Sequence, residues 1–120
     1  MNLQRAIPVL RMFNVEQSKN FYLDFLGFSL EWEHRFATDL PLYAQIRRDD
    51  VVLHLTEHYG DATPGSTVFL PVADIAALER ELADKRHGYA RPAATEVGWG
   101  WQMEVADPSG NRLRFCQLSD

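Results

Sequence analysis

The sequence predicts an α+β protein built from two β-α-β-β-β modules, and three observations lead to that class. The clearest strand, at residues 51–58, has mostly branched apolar residues, and a stretch of the same shape follows at 111–118. The offset of sixty residues between the two stretches divides the 120-residue chain in half. Asn14 and Asp74, each suited to cap a helix, stand at the same offset. The two halves therefore repeat one topology.

The first module opens with a strand and a helix. Residues 6–13 are rich in branched and long apolar side chains, as strands are, and the strand starts beside Pro8. Asn14 caps a helix predicted over 15–26, because its side chain accepts a hydrogen bond from a free backbone N–H. Gly27 follows, and glycine readily takes the left-handed conformation found at helix ends.

Three further strands complete this module. Residues 28–35 alternate between apolar and polar side chains. Phe28, Leu30 and Trp32 then share one face, so Trp32 is predicted to contact the core or a helix. A loop at 36–40 leads to a hairpin closed by a tight Asp-Asp turn. The hairpin strands are predicted at residues 41–48 and 51–58.

Residues 59–65 form the predicted linker, because glycine, proline and aspartate are frequent there. A chain of 120 residues is expected to be one domain, with module one at about 5–58 and module two at about 66–118. In each module the helix covers one face of the sheet. The opposite face is left free, so we expect curved mixed sheets that form a cup with the helices on its outer face.

The second module repeats the order of the first. Its helix is predicted over residues 75–86, between the cap Asp74 and the terminator Gly88. Its second strand is short and is interrupted by Pro92. The strands of this module are predicted at residues 66–72, 89–93, 101–106 and 111–118.

Composition narrows the classes of function. The net charge of −5 argues against a nucleic-acid partner, because phosphates require a basic face. Cys116 is the one cysteine, which excludes a disulfide framework and a cysteine-rich zinc motif. The sequence has no apolar run typical of a signal peptide or a transmembrane span. A cytoplasmic protein with no membrane partner is therefore expected.

Three stretches form a set with a fixed order and spacing. Residues 20–28 are Asn-Phe-Tyr-Leu-Asp-Phe-Leu-Gly-Phe, Trp99 precedes Gly100, and residues 107–113 are Asp-Pro-Ser-Gly-Asn-Arg-Leu. The set resembles the first-helix motif, the pair before the seventh strand and the final hairpin of the vicinal oxygen chelate superfamily. That superfamily includes glyoxalase I and the bleomycin resistance proteins. The resemblance covers nearly the whole chain and implies the same two-module fold.

The resemblance also bears on metal binding. It implies that, in the metal-dependent members, the first and fourth strands of each module supply one ligand each to an octahedral site. The corresponding positions are Ile7, His54, Thr67 and Arg114. Ile7 has no donor atom, and Arg114 carries a permanent positive charge that repels a cation. His54 alone does not suffice for a catalytic metal, which needs about three protein ligands, so no metal and no other cofactor is expected.

The resemblance to the metal-free bleomycin resistance proteins implies a homodimer that sequesters a small molecule in grooves between its subunits, and hence a role in antibiotic resistance. Aromatic faces suit the planar groups of such a ligand. The predicted ligand-binding residues are His54, Thr67, Trp99, Trp101, Glu104, Arg112 and Arg114. No catalytic residue is assigned. The alternative is an enzyme of the same superfamily, a lyase or dioxygenase with a non-standard metal site.

Some of these residues also have a structural interpretation. His54 stands between leucines, as a hydrogen-bonded interior histidine does. Arg114 is also positioned to pair with Glu104 across the final hairpin. Arg112 and Arg114 suit an anionic or carbonyl-bearing ligand better than a cationic one. The charge of the ligand therefore stays open, as does whether the modules pair within one chain or between exchanged chains.

Overall fold

The computed structural model describes residues 1–85 and 91–120 and confirms the α+β class with two β-α-β-β-β modules. The first module consists of β1 (Val9–Arg11), α1 (Val15–Lys19) with a π-helical continuation (Asn20–Phe25), β2 (Ser29–His34), β3 (Tyr43–Arg48) and β4 (Val51–Thr56). The second consists of β5 (Thr67–Pro71), α2 (Ile75–Asp84), β6 (Thr95–Val97), β7 (Gly100–Ala106) and β8 (Arg112–Leu118). None of the helices in these ranges is long and apolar enough to cross a membrane.

Each module forms one four-stranded mixed sheet. The first sheet has the strand order β1-β4-β3-β2, and the second sheet has the order β5-β8-β7-β6. Val9 pairs with His54 in the first sheet, and Phe69 pairs with Arg114 in the second. Both parallel pairs thus keep the offset of sixty residues. The internal repeat extends from the order of elements to the pairing of individual residues.

The first helix changes its hydrogen-bonding pattern halfway. Asn14 caps it as predicted, because its side chain accepts from the N–H of Gln17 at 2.8 Å. The second half is a π-helical turn, which Leu26 N–H closes by donating to the carbonyl of Phe21 at 2.9 Å. The wider turn reduces the rotation between consecutive residues, so adjacent aromatic side chains face the same core. The buried residues of this turn are Phe21, Tyr22 and Phe25.

Two strands differ from their predicted positions. The strand predicted over 6–13 is limited to β1, and Pro8, which has no N–H to donate, directly precedes it. The strand predicted over 89–93 falls partly on residues 86–90, which lie outside the described residues together with the predicted helix end at Gly88. Its remaining three residues include Pro92 and are not a strand, and β6 forms after them.

One apolar core and a buried polar network hold the modules together. The core combines side chains from both helices and both sheets. In the network, the Tyr22 hydroxyl donates to Asp107 Oδ2 at 2.6 Å, and Asp107 Oδ1 accepts the N–H groups of Ser109 and Asn111 at 2.8 and 2.9 Å. Burial, with the carboxylate beside it, raises the pKa of Tyr22, which keeps the hydroxyl a donor. Asn111 Nδ2 in turn donates to the carbonyl of Arg11 at 2.8 Å.

Candidate functional site

The helices cover one face of each sheet and leave the opposite face, here called the open face, accessible. Strand alternation and pairing register define which side chains lie on it. The open face of the first sheet carries Glu31, Trp32, Tyr43, Gln45, Arg47 and His54. The open face of the second sheet carries Thr67, Phe69, Gln102, Glu104, Arg112 and Arg114. The candidate site is built from these two faces.

His54 lies on β4 with both ring nitrogens engaged. The Tyr43 hydroxyl is 2.6 Å from Nδ1, and Gln45 Oε1 is 2.8 Å from Nε2. An amide oxygen only accepts, so Nε2 carries the proton and Nδ1 accepts from the tyrosine hydroxyl. Partial burial lowers the pKa of His54, which favours this neutral form.

The hydrogen-bond chain continues from β3 to β2. Gln45 Nε2 donates to Glu31 Oε1 at 2.9 Å, and Arg47 Nε donates to Glu31 Oε2 at 3.1 Å. Because a carboxylate only accepts, this contact fixes the orientation of the Gln45 amide and therefore the tautomer of His54. The hydrogen bond from Gln45 and the contact with Arg47 lower the pKa of Glu31. Side chains from three strands thus form one network that ends at the hydroxyl of Tyr43.

Trp32 and Tyr43 form a stacked pair beside this network. Their ring centroids are 6.0 Å apart and their planes differ by 11°. The ring of His54 meets Trp32 edge-on, with centroids 5.5 Å apart. Trp32 is 44% exposed, so part of its ring surface is free to contact a ligand. A shallow cavity of about 420 Å³ adjoins the pair and is lined by Trp32, His34, Phe36, Tyr43, His58 and Asp61.

Sequence reasoning placed Trp32 on the wrong face. The alternation predicts that Trp32 shares a face with Phe28 and Leu30 and contacts the core or a helix. Between Leu30 and Trp32 the pairing with β3 shifts by one residue, as in a β-bulge, and Trp32 pairs with Gln45. The bulge reverses the alternation beyond it and brings Trp32 to the open face. The local pattern of apolar residues gives no signal for such a bulge.

Arg114 and Glu104 form an ion pair on the open face of the second sheet. Arg114 Nε donates to Glu104 Oε1 at 2.8 Å, and the two residues stand directly opposite each other on β8 and β7. The structural interpretation of this pair is therefore confirmed. Arg112 and Thr67 also pair in register on β8 and β5, and both are exposed.

The two tryptophans of the predicted binding set lie on opposite sides of the second sheet. Trp99 Nε1 donates to Gln102 Oε1 at 3.2 Å, which holds the indole at the open face. Trp101 pairs with Gln117, whose side chain accepts the N–H of Ile75 at the start of α2. Trp101 therefore lies on the helix-bearing face, apart from the other predicted residues.

Within one chain the remaining predicted residues lie on two separate sheets. His54 belongs to the first sheet, and the other members belong to the second. The described strands of one sheet do not pair with those of the other. The second-sheet members are Thr67, Trp99, Glu104, Arg112 and Arg114.

The four positions that the superfamily resemblance assigns to metal ligands do not fit a metal ion. Ile7 has no donor atom, Arg114 is a cation paired with Glu104, and both nitrogens of His54 are in hydrogen bonds. Thr67 offers only a neutral hydroxyl. Across residues 1–85 and 91–120, no three His, Cys, Asp or Glu side chains are grouped so that they could hold a metal ion.

The whole chain, residues 1–120, matches the family model described as glyoxalase superfamily protein. This match, with the two-module fold and its mixed sheets, shows that the chain belongs to the glyoxalase superfamily, as the sequence motifs predicted. No curated protein matches the sequence.

Solved structures similar to this chain include antibiotic-binding proteins. The bleomycin-binding protein from Streptomyces verticillus, complexed with copper(II)-bleomycin, is 30% identical over 99% of each chain, with a TM-score of 0.69. TnmS3, an antibiotic binding protein from Streptomyces sp. CB03234, is 23% identical over 99% of each chain, with a TM-score of 0.78. A bleomycin resistance determinant encoded on the transposon Tn5 is 24% identical over 98% of this chain and 100% of that one, with a TM-score of 0.74. At 23% and 24% identity, the last two matches show only a shared fold.

Proposed function

We propose that this protein is a homodimer that sequesters a small molecule, without a metal of its own, in grooves between the open faces of two copies. The observation that carries the proposal is the Trp32–Tyr43 stacked pair, which a polar network orients on an open sheet face beside a cavity. A flat aromatic surface next to a concavity suits a ligand with planar groups.

In the proposed dimer, the open faces of the two sheets face each other. The first sheet presents the stacked pair, and the second sheet presents Phe69 and Trp99, which are 42% and 55% exposed, near the Arg114–Glu104 ion pair. Exposed aromatic residues gathered on one face mark a binding or interaction surface. The second sheet of one copy, laid over the first sheet of another, encloses both sets of aromatic residues. Two-fold symmetry then produces two equivalent grooves.

The proposed site keeps most of the predicted residues. Thr67, Trp99, Glu104, Arg112 and Arg114 are proposed to contact the ligand, and to them we add Trp32 and Tyr43. His54 belongs to the site as the residue that holds the Tyr43 hydroxyl. A ligand-binding role for Trp101 stays a prediction, and the position of Trp101 on the helix-bearing face does not favour that role. Arg114 is paired with Glu104 and Arg47 with Glu31, so we expect stacking to contribute more to affinity than charge.

The relative that binds copper(II)-bleomycin supports an antibiotic as the ligand. From such a ligand we infer a role in antibiotic resistance. Calorimetric titration with bleomycin, metal-free and as the copper(II) complex, tests this. We expect saturable binding of one ligand per chain, weakened about tenfold or more in Trp32→Ala. Arg80→Ala, on the exposed surface of α2, is the control and should bind as the wild type does. Absence of binding to both forms of bleomycin would count against this ligand.

Two further measurements test the assembly and the metal. Sedimentation equilibrium should show a dimer in the concentration range in which the ligand binds, and a monomer there contradicts the shared groove. Elemental analysis of the purified protein should show no stoichiometric transition metal. An ion held at one per chain and lost in His54→Ala would favour the enzymatic alternative, a lyase or dioxygenase.

A further inference from the structure

His54 has no ring nitrogen left for a ligand. Its Nδ1 accepts from the Tyr43 hydroxyl, and its Nε2 donates to Gln45. We propose that His54 is a positioning residue, which holds the ring of Tyr43, and through it Trp32, in the orientation on which a planar ligand stacks. The part of this proposal that concerns ligand binding rests on the proposed function. The positioning of Tyr43 and Trp32 concerns the free protein and is tested there.

The Tyr43 hydroxyl is the group through which the positioning acts. A half-buried tyrosine ring on a strand has more than one rotamer, and a hydrogen bond at its tip selects one of them. The 2.6 Å contact with His54 makes that selection. In the selected rotamer the Tyr43 ring is nearly parallel to Trp32, at 11° between planes.

Trp32, Gln45 and His54 form one row across three strands. Trp32 pairs with Gln45 and Gln45 pairs with His54, so the bulge in β2 places the indole in line with the imidazole. The rings of His54 and Trp32 meet edge to face with centroids 5.5 Å apart, while Tyr43 stacks on Trp32. Two neighbours thus fix the indole before a ligand arrives. Fixing it in advance lowers the conformational entropy lost on binding.

The network behind His54 keeps its own ring in place. Gln45 holds Nε2, and Glu31 holds the Gln45 amide at 2.9 Å. Arg47 in turn contacts Glu31 at 3.1 Å. His54 is therefore oriented from one side and orients Tyr43 on the other, which distinguishes a positioning residue from one that contacts the ligand.

Four substitutions separate positioning from a general structural role. Tyr43→Phe removes only the hydroxyl, and His54→Leu removes the acceptor. His54→Asn places an amide oxygen near the position of Nδ1 and keeps the acceptor. Tyr59→Phe is the matched control, because it removes the hydroxyl of a tyrosine that is 91% exposed.

The readout is the indole ¹H–¹⁵N resonance of Trp32 in the free protein, assigned with Trp32→Phe. We expect this resonance to shift and broaden in Tyr43→Phe and in His54→Leu. The double variant, Tyr43→Phe with His54→Leu, should show no larger change than His54→Leu alone. His54→Asn should restore the narrow line of the wild type, at a position offset only by the loss of the imidazole ring beside Trp32, and Tyr59→Phe should leave the resonance unchanged. Copper(II)-bleomycin should bind about three- to tenfold more weakly to Tyr43→Phe and His54→Leu.

An unchanged Trp32 resonance in His54→Leu overturns the proposal, as do independent, additive shifts from the two substitutions. Circular dichroism checks that each variant is folded. If His54→Leu does not fold, Tyr43→Phe serves as the test in its place. An unchanged Trp32 resonance in Tyr43→Phe also overturns the proposal. If the resonances change as expected and bleomycin does not bind, only the proposed function fails.

Discussion

Arg48 and Glu81 join the two modules through two parallel hydrogen bonds. Arg48 Nη1 and Nη2 each lie 2.8 Å from a carboxylate oxygen of Glu81. Arg48 Nη1 also donates to the carbonyl of Leu26 at 2.8 Å, and Lys85 Nζ donates to the carbonyl of Phe25 at 2.7 Å. The end of β3, the end of the first helix and α2 are thereby tied at one point on the side away from the open faces.

Glu81→Gln should lower the free energy of unfolding by about 1 kcal/mol. The value is modest because the side chains of Arg48 and Glu81 are 31% and 35% exposed, which weakens their attraction. The control is Glu33→Gln, which breaks the 2.9 Å pair with Lys19 inside the first module. It should cost less than about 0.5 kcal/mol in urea unfolding. If the two substitutions lowered the free energy of unfolding equally, the Arg48–Glu81 pair would have no special role in joining the modules.

The same pair predicts a pH dependence. The hydrogen bond from Arg48 lowers the pKa of Glu81 below its ordinary 4.5. The folded state therefore binds this proton more weakly, and the contribution of Glu81 is present above pH 4.5 and lost as the pH falls through the lowered pKa. Urea unfolding of Glu81→Gln between neutral and acid pH should show a shallower loss of stability than the wild type. A wild-type profile in this variant would contradict the assignment.

Tyr22→Phe should destabilise the fold by about 1–3 kcal/mol. Tyr22 is fully buried, and its hydroxyl donates to the buried carboxylate of Asp107, which would lose a donor. Tyr59→Phe, at a residue 91% exposed, should change stability by less than about 0.5 kcal/mol. Thermal and urea unfolding measure both effects. A Tyr22→Phe protein as stable as the wild type would show that the network does not need this donor.

Gly100→Ala should cost about 3 kcal/mol or more, or prevent folding. Gly100 has φ +152°, and a Cβ there would lie 2.1 Å from the carbonyl oxygen of Gln117 on β8. The backbone of the paired strand cannot move aside without disrupting the sheet. The control is Gly98→Ala, where a Cβ meets nothing within 4 Å. Urea unfolding should therefore separate two glycines that are two residues apart, and similar stabilities would contradict the close approach.

His54 predicts a second pH effect. Burial lowers its pKa below the ordinary 6.5, so the folded state binds the imidazole proton more weakly than the unfolded state does. Stability contributed by neutral His54 is complete above pH 6.5 and declines as the pH falls from there through the lowered pKa. Urea unfolding across this range should show the decline in the wild type and a smaller one in His54→Asn. The other histidines are present in both proteins, so the difference isolates His54.

Local patterns in the sequence were sufficient for most elements of this fold. Asn14 and Asp74 cap the helices where predicted, because a cap depends on a side chain and an N–H three residues later. The offset of sixty residues reappears in the parallel pairs of both sheets. Prediction was wrong for the second strand of module two, because residues 91–93 are not a strand and β6 forms after them, where hydrogen bonds to β7 place it.

The sequence by itself thus determined the class and the two modules, because short-range spacing and periodicity encode them. The superfamily was identified from the resemblance of three motifs to those of known members. Only the tertiary structure decided the site. Trp32 reaches the open face through a bulge that exists only against β3, and His54 becomes a support for Tyr43 only because the two strands pair. These contacts depend on the bulge and on which residues the paired strands bring together, and the periodicity of a single strand does not show where a bulge interrupts it.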